Sequence, residues 1–165
     1  MNYHIVLTRK CNLNCLYCHG GEESGPDTEI QYSIEGLADF LAKDRTYINL
    51  LLYGGEPTLR IPLIAEIMKR FSHARFMLQT NGLLLNQIPE EFARRFHSIL
   101  VSIDGIEETT DGYRSNGVYQ KVINNVRWLR EIGYEGDIVA RMAVSEQSDI
   151  YRDVRHLVEL RGLSI

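Results

Sequence analysis

Strand-sized and helix-sized segments alternate along this chain five times, and no other feature limits its fold as tightly. Residues 3–8 (YHIVLT) read as a strand. Ser33 is placed to cap a helix carrying Ile34, Leu37, Phe40 and Leu41 on one face. Residues 47–53 (YINLLLY) form a near-continuous apolar run of strand length. Pro62 suits the first turn of a helix, with Ile64, Ile67, Met68 and Phe71 spaced to share a face. Residues 75–80 (RFMLQT), 98–103 (SILVSI) and 137–144 (DIVARMAV) read as further strands. Pro89 opens a short helix that runs to Arg95, and Tyr119, Val122, Ile123, Val126 and Leu129 form a strong helical stripe. Ile150, Val154 and Leu157 mark a last helix. Such alternation predicts βα units around a parallel sheet. Apolar runs without polar alternation predict strands covered on both faces.

Polar and glycine-rich residues gather just after the strands. They are 9–21 after the first, Gly54-Gly55-Glu56-Pro57 after the second, Asn81-Gly82 after the third and Asp104-Gly105 after the fourth. Parallel α/β folds bind ligands at the carboxyl ends of their strands, so these loops are expected to face one site. The 165 residues, 44% of them apolar, suffice for one domain, read here as 1–165. A net charge of −4 and the lack of a basic run argue against a nucleic-acid or membrane-surface binder. No apolar run is long enough to span a bilayer. The start MNYHIVLTRK lacks the pattern of a signal peptide, so a cytoplasmic location is expected. Gly162-Leu163-Ser164-Ile165 reads as a helix stop and a new strand, as if the chain ends before a sixth βα unit is complete.

All three cysteines, Cys11, Cys15 and Cys18, lie in KCNLNCLYCHGG. Thiols this close cannot stitch distant segments together, which points to a metal site in a reducing compartment. The spacing fits three corners of one compact object. A four-iron cube has four corners, so one iron is left open to a substrate or cofactor. Two other readings compete. Cys15 to His19 also matches the C-x-x-C-H attachment motif of c-type haem, but that leaves Cys11 and the parallel sheet unexplained. A structural zinc ion needs a fourth ligand, with His4 and His97 available at a distance.

At these residues the chain resembles the radical S-adenosylmethionine (SAM) superfamily. CNLNCLYC is similar to its C-x3-C-x2-C motif, and LLYGGEPTL, QTNG, VSIDG and DGYRSNGVYQKVINNV follow in the family's order. The run looks most like the branch that modifies peptides and proteins, sulfatase-maturing enzymes and peptide maturases among them. The resemblance implies a partial (β/α)6 TIM-like barrel, C-terminally incomplete. It implies that Cys11, Cys15 and Cys18 hold a [4Fe–4S] cluster whose fourth iron binds SAM. Reductive cleavage of SAM then yields a 5′-deoxyadenosyl radical that takes hydrogen from a peptide or protein, with flavodoxin or ferredoxin as electron donor.

The resemblance also assigns tasks. Gly54 and Gly55 let backbone approach the ligand, Glu56 meets the SAM ammonium and Pro57 fixes the turn. Ser102 and Arg114 meet the SAM carboxylate, and the Tyr17 backbone meets adenine. Gln79, Asn81 and Asp104 are candidates for ribose or substrate contacts, and residues 141–144 for adenine. The alternatives are an electron-transfer iron–sulfur protein, and a family member acting on a small molecule or as an activase. Trp128, His73 and His156 read as packing or surface residues, and Arg152, Arg155 and Arg161 as the solvated side of the last helix.

Overall fold

The computed structural model describes residues 1–18, 32–44, 47–146 and 148–160. His19, Gly20, Gly21 and the 161–165 segment, which carries the predicted sixth strand and Arg161, lie outside the described residues. Five strands form one sheet in chain order, β1 (Asn2–Val6), β2 (Asn49–Tyr53), β3 (Arg75–Thr80), β4 (Phe96–Ser102) and β5 (Asp137–Arg141). Every neighbouring pair is parallel. A doubly wound sheet reverses its strand order at a switch point, and this one never does, as in a barrel that has not closed. β1 and β5 are its two edges.

Among the described residues, five α-helices lie between the strands, α1 (Ile34–Leu41), α2 (Ile61–Arg70), α3 (Glu90–Ala93), α4 (Glu107–Arg114) and α5 (Val118–Glu131), and a sixth, α6 (Ile150–Glu159), follows β5. Ser33 caps α1, its Oγ accepting the Gly36 N–H at 3.0 Å. Phe40, expected on the buried face of α1, is instead exposed and meets the Tyr3 ring edge-on. α2 buries Leu63, Ile64, Ile67 and Met68. α5 buries its apolar stripe, and its Asn125 donates to the Gly82 and Leu83 carbonyls at 2.7 and 3.1 Å. That pair holds the turn after β3.

The expectation of strands covered on both faces is corrected. Leu50, Leu52, Phe76, Leu78, Ile99, Val101 and Ile138 are buried under the helices. The opposite face, with Leu51, Met77, Leu100 and Val139, is only partly covered, and Val6 and Tyr53 there are exposed. β5 also ends earlier than the sequence predicts, because the Ala143 N–H turns to the Asp104 carboxylate at 2.9 Å instead of a neighbouring strand. α4 escaped the sequence reading. Its EETTDGYR has few apolar residues to reveal a face.

α6 departs furthest from its pattern. Ile150, Tyr151, Val154 and Val158 are exposed, while Asp153 and Leu157 are buried. Asp153 accepts from Thr109 Oγ1 at 2.9 Å, Asp149 N at 3.1 Å and Ile106 N at 3.3 Å. The helix thus docks on the start of α4 through a buried carboxylate. Asp153→Ala should cost about 1–3 kcal/mol by leaving buried donors unpaired. Ile150→Ser on the exposed face should stay within about 0.5 kcal/mol of the parent. Urea unfolding of both variants checks this, and equal costs contradict it.

Candidate active site

A cavity of about 870 Å³ opens at the carboxyl ends of the strands. All three cysteines line it. Cys11 and Cys15 are half-buried and Cys18 is exposed, all as free thiols. Among the described residues, no three His, Cys, Asp or Glu side chains gather closely enough for a single metal ion. Four ligands on one zinc at about 2.3 Å must nearly touch one another. Thiolates on separate irons of a cube stand farther apart. His4 and His97 do not line the cavity.

The cysteine loop is anchored at both ends. At its start, Gly55 N–H donates to the Thr8 carbonyl at 2.8 Å and Glu56 N–H to the Lys10 carbonyl at 2.8 Å. At its end, Leu16 N–H donates to the Tyr113 carbonyl at 2.9 Å, and Tyr17 Oη donates to Asp104 Oδ2 at 2.9 Å. The Tyr17 and Tyr113 rings pack at 5.4 Å. Tyr113 is itself pinned by a hydrogen bond to Ser145.

Gly54 and Gly55 line the cavity as expected, but the reason for their small size is corrected. The first thing a Cβ meets at Gly54 is the Thr8 carbonyl, and at Gly55 it is the Arg9 and Lys10 carbonyls. The close approach that the two glycines permit is of one loop to the other. Pro57 opens the 3-10 turn Pro57–Arg60 and is buried outside the cavity lining.

The role expected for Glu56 is also corrected. Its side chain is fully buried and does not line the cavity. Oε1 accepts from Thr58 N at 2.9 Å, Thr58 Oγ1 at 2.5 Å and Thr80 Oγ1 at 2.7 Å, and Oε2 from Asn81 N at 2.6 Å. Burial pushes this carboxyl's pKa up, and the four donors work against that push. The carboxylate staples the loop after β2 to the end of β3. Thr58 and Thr80 had no assigned task, although both stand in the quoted motifs. Donors that face a carboxylate buried across two loops leave no periodic trace.

Asp104 is corrected in the same sense. It is fully buried and absent from the cavity wall. It grips Arg114 through Nε at 2.7 Å and Nη2 at 3.2 Å. Burial opposes the Arg114 charge, but the hydrogen bonds and charge of Asp104 outweigh it and hold the pKa up. Arg114 lines the cavity, its guanidinium lying over the Tyr17 ring. Burial raises the Cys11 and Cys15 thiols, with the Arg114 charge pulling Cys15 back.

Gln79, Asn81 and Ser102 reach the cavity from the ends of β3 and β4. Of residues 141–144, Arg141, Met142 and Ala143 line it. Arg9, from the loop expected to face the site, and Val6 line it too. The glycines, Tyr17, Ser102 and Arg114 therefore converge with the cysteines, whereas Glu56, Pro57 and Asp104 support them from behind.

The family model of the radical SAM superfamily matches residues 5–158. A probable GTP 3′,8-cyclase from Archaeoglobus fulgidus is 34% identical over 138 residues, covering 80% of this chain and 45% of that protein. An AdoMet-dependent heme synthase from Methanosarcina barkeri is 35% identical over 166 residues, covering 96% of this chain and 47% of that protein. The chain thus spans under half the length of these curated relatives. The solved structure of anSMEcpe with bound AdoMet superposes with a TM-score of 0.77 at 21% identity, covering 96% of this chain and 48% of that one. The Streptococcus suis protein SuiB bound to precursor peptide SuiA superposes with a TM-score of 0.69 at 18% identity, covering 96% of this chain and 36% of that one. Among the described residues no helix is long and apolar enough to cross a membrane. The cofactors of this family are a [4Fe–4S] cluster and SAM. The chain belongs to the radical SAM superfamily.

Proposed function

We propose that Cys11, Cys15 and Cys18 hold the [4Fe–4S] cluster and that Ser102, Arg114 and the Gly54–Gly55 backbone hold SAM beside it. The observation that carries this is the convergence of these residues on one cavity at the carboxyl ends of a parallel sheet. When bound, the pair supplies a 5′-deoxyadenosyl radical that takes hydrogen from an unactivated carbon. The chain's own residues bind, orient and shield. Arg114 presents a fixed guanidinium fork, suited to a carboxylate. Glu56 spends its carboxylate inside the protein, so the SAM ammonium falls to the backbone of Gly54 and Gly55. The Tyr17 backbone and residues 141–143, which line the same cavity, are offered to adenine.

Two substrate readings follow. The likeness in fold to anSMEcpe, which has been solved with a bound peptide, and to SuiB with SuiA supports a peptide or protein substrate. The higher identity to proteins named as a GTP cyclase and a heme synthase supports a small molecule instead. Flavodoxin or ferredoxin is the proposed electron donor, and the cytoplasm the proposed location.

Anaerobic reconstitution with iron and sulfide should give a brown protein that forms 5′-deoxyadenosine from SAM and dithionite. Cys15→Ala should abolish both colour and product. A fully loaded protein that forms no 5′-deoxyadenosine contradicts the proposal.

A further inference from the structure

Glu56 and Asp104 share one arrangement behind the cavity. Both are fully buried carboxylates, and each holds a residue that donates to a cysteine sulfur. Glu56 Oε2 accepts the Asn81 N–H at 2.6 Å, and Asn81 Nδ2 lies 3.8 Å from Cys11 Sγ. Asp104 grips Arg114 at 2.7 and 3.2 Å, and Arg114 Nη1 lies 3.9 Å from Cys15 Sγ. Cys11 receives a second donor, the Leu13 N–H at 3.4 Å. Cys18 is exposed and receives no such donor among the described residues.

The orientation of the Asn81 amide is settled by its neighbours. Oδ1 accepts the Leu83 N–H at 3.0 Å, and a backbone N–H can only donate. The nitrogen therefore faces the cysteine loop. Its two hydrogens have two acceptors, Asn12 Oδ1 at 2.7 Å and Cys11 Sγ at 3.8 Å. Arg114 is equally accounted for. Asp104 takes the Nε hydrogen and one Nη2 hydrogen, and Cys15 takes one on Nη1. One hydrogen on each terminal nitrogen remains for a carboxylate in the cavity.

We infer that Asn81 and Arg114 are positioning residues that set the reduction potential of the cluster, with Glu56 and Asp104 fixing their aim. The inference rests on the cluster reading above. Reduction adds one negative charge, part of which falls on the thiolate sulfurs. An N–H aimed at sulfur favours the reduced form and raises the potential. Arg114 adds a full positive charge to the same effect.

The test is EPR-monitored redox titration of the reconstituted full chain without SAM, so that SAM binding by Arg114 plays no part. Asn81→Ala removes the donor to Cys11. Asn81→Ser also removes it but keeps an oxygen for the Leu83 N–H, which guards the fold. Both should shift the midpoint potential downward at unchanged iron content, and by similar amounts. Arg114→Gln should shift it further. Unchanged potentials in Asn81→Ser and Arg114→Gln at full loading overturn the inference, even where stability falls. If the parent chain takes up no four-iron cluster, the underlying reading fails first, and iron content reports that separately.

Discussion

Asp104→Ala should lose about 3–5 kcal/mol of unfolding free energy, because it leaves a buried guanidinium without its partner. Asp104 is fully buried and Arg114 is only 9% exposed, so water that reaches Arg114 from the cavity replaces the lost carboxylate only in part. The loss reaches beyond one ion pair. Asp104 also accepts from Tyr17 Oη and from the Ala143 N–H, each at 2.9 Å. It therefore joins the cysteine loop, α4 and the segment after β5. Asp104→Asn keeps an acceptor for part of this set and should cost less. In a double-mutant cycle, adding Arg114→Met to Asp104→Ala should recover part of the loss, since the stranded charge is then gone. Guanidinium unfolding of the single and double variants decides it. A loss below about 1 kcal/mol for Asp104→Ala would mean that Arg114 finds another partner.

The sequence carries the βα alternation because each helix must bury a stripe and each strand a run, and both leave periodic marks. The five strands and their parallel order follow from that. Periodicity fails where polar groups do the docking. α6 shows an apolar series at Ile150 and Val154, yet it is seated by Asp153, whose three donors come from α4 and from the loops before α4 and α6. α4 has little apolar stripe at all.

The site divides along the same line. Cysteine spacing and a glycine pair are local, so they are legible in one line of text. What Glu56 and Asp104 face depends on chains that meet across the sheet, such as Thr80 for one and Tyr17 for the other. A motif shows that a carboxylate stands beside a cavity. Only the fold shows that it points away from it.

Gly55→Ala should strip the protein of most of its cluster while leaving it folded. A Cβ at Gly55 sits 2.5 Å from the Arg9 carbonyl oxygen and 2.8 Å from the Arg9 carbonyl carbon, with the Lys10 carbonyl closer still. These neighbours are backbone and cannot swing aside as a side chain does. The two loops must part, at a cost of about 1–3 kcal/mol. The part that moves is the stretch just before Cys11, which the 2.8 Å bonds from Gly55 N–H and Glu56 N–H hold in place. The atoms nearest the added Cβ belong to Arg9 and Lys10, not to a helix or to the core. Iron per chain and visible absorption after anaerobic reconstitution should therefore fall far more than the unfolding midpoint does. Gly112→Ala is the matching control. Gly112 lies in α4 with nothing within 4 Å of an added Cβ, and alanine there should stabilise the helix by about 0.5–1 kcal/mol. Full iron loading in Gly55→Ala would show that the cysteine loop does not depend on its seat against the loop after β2.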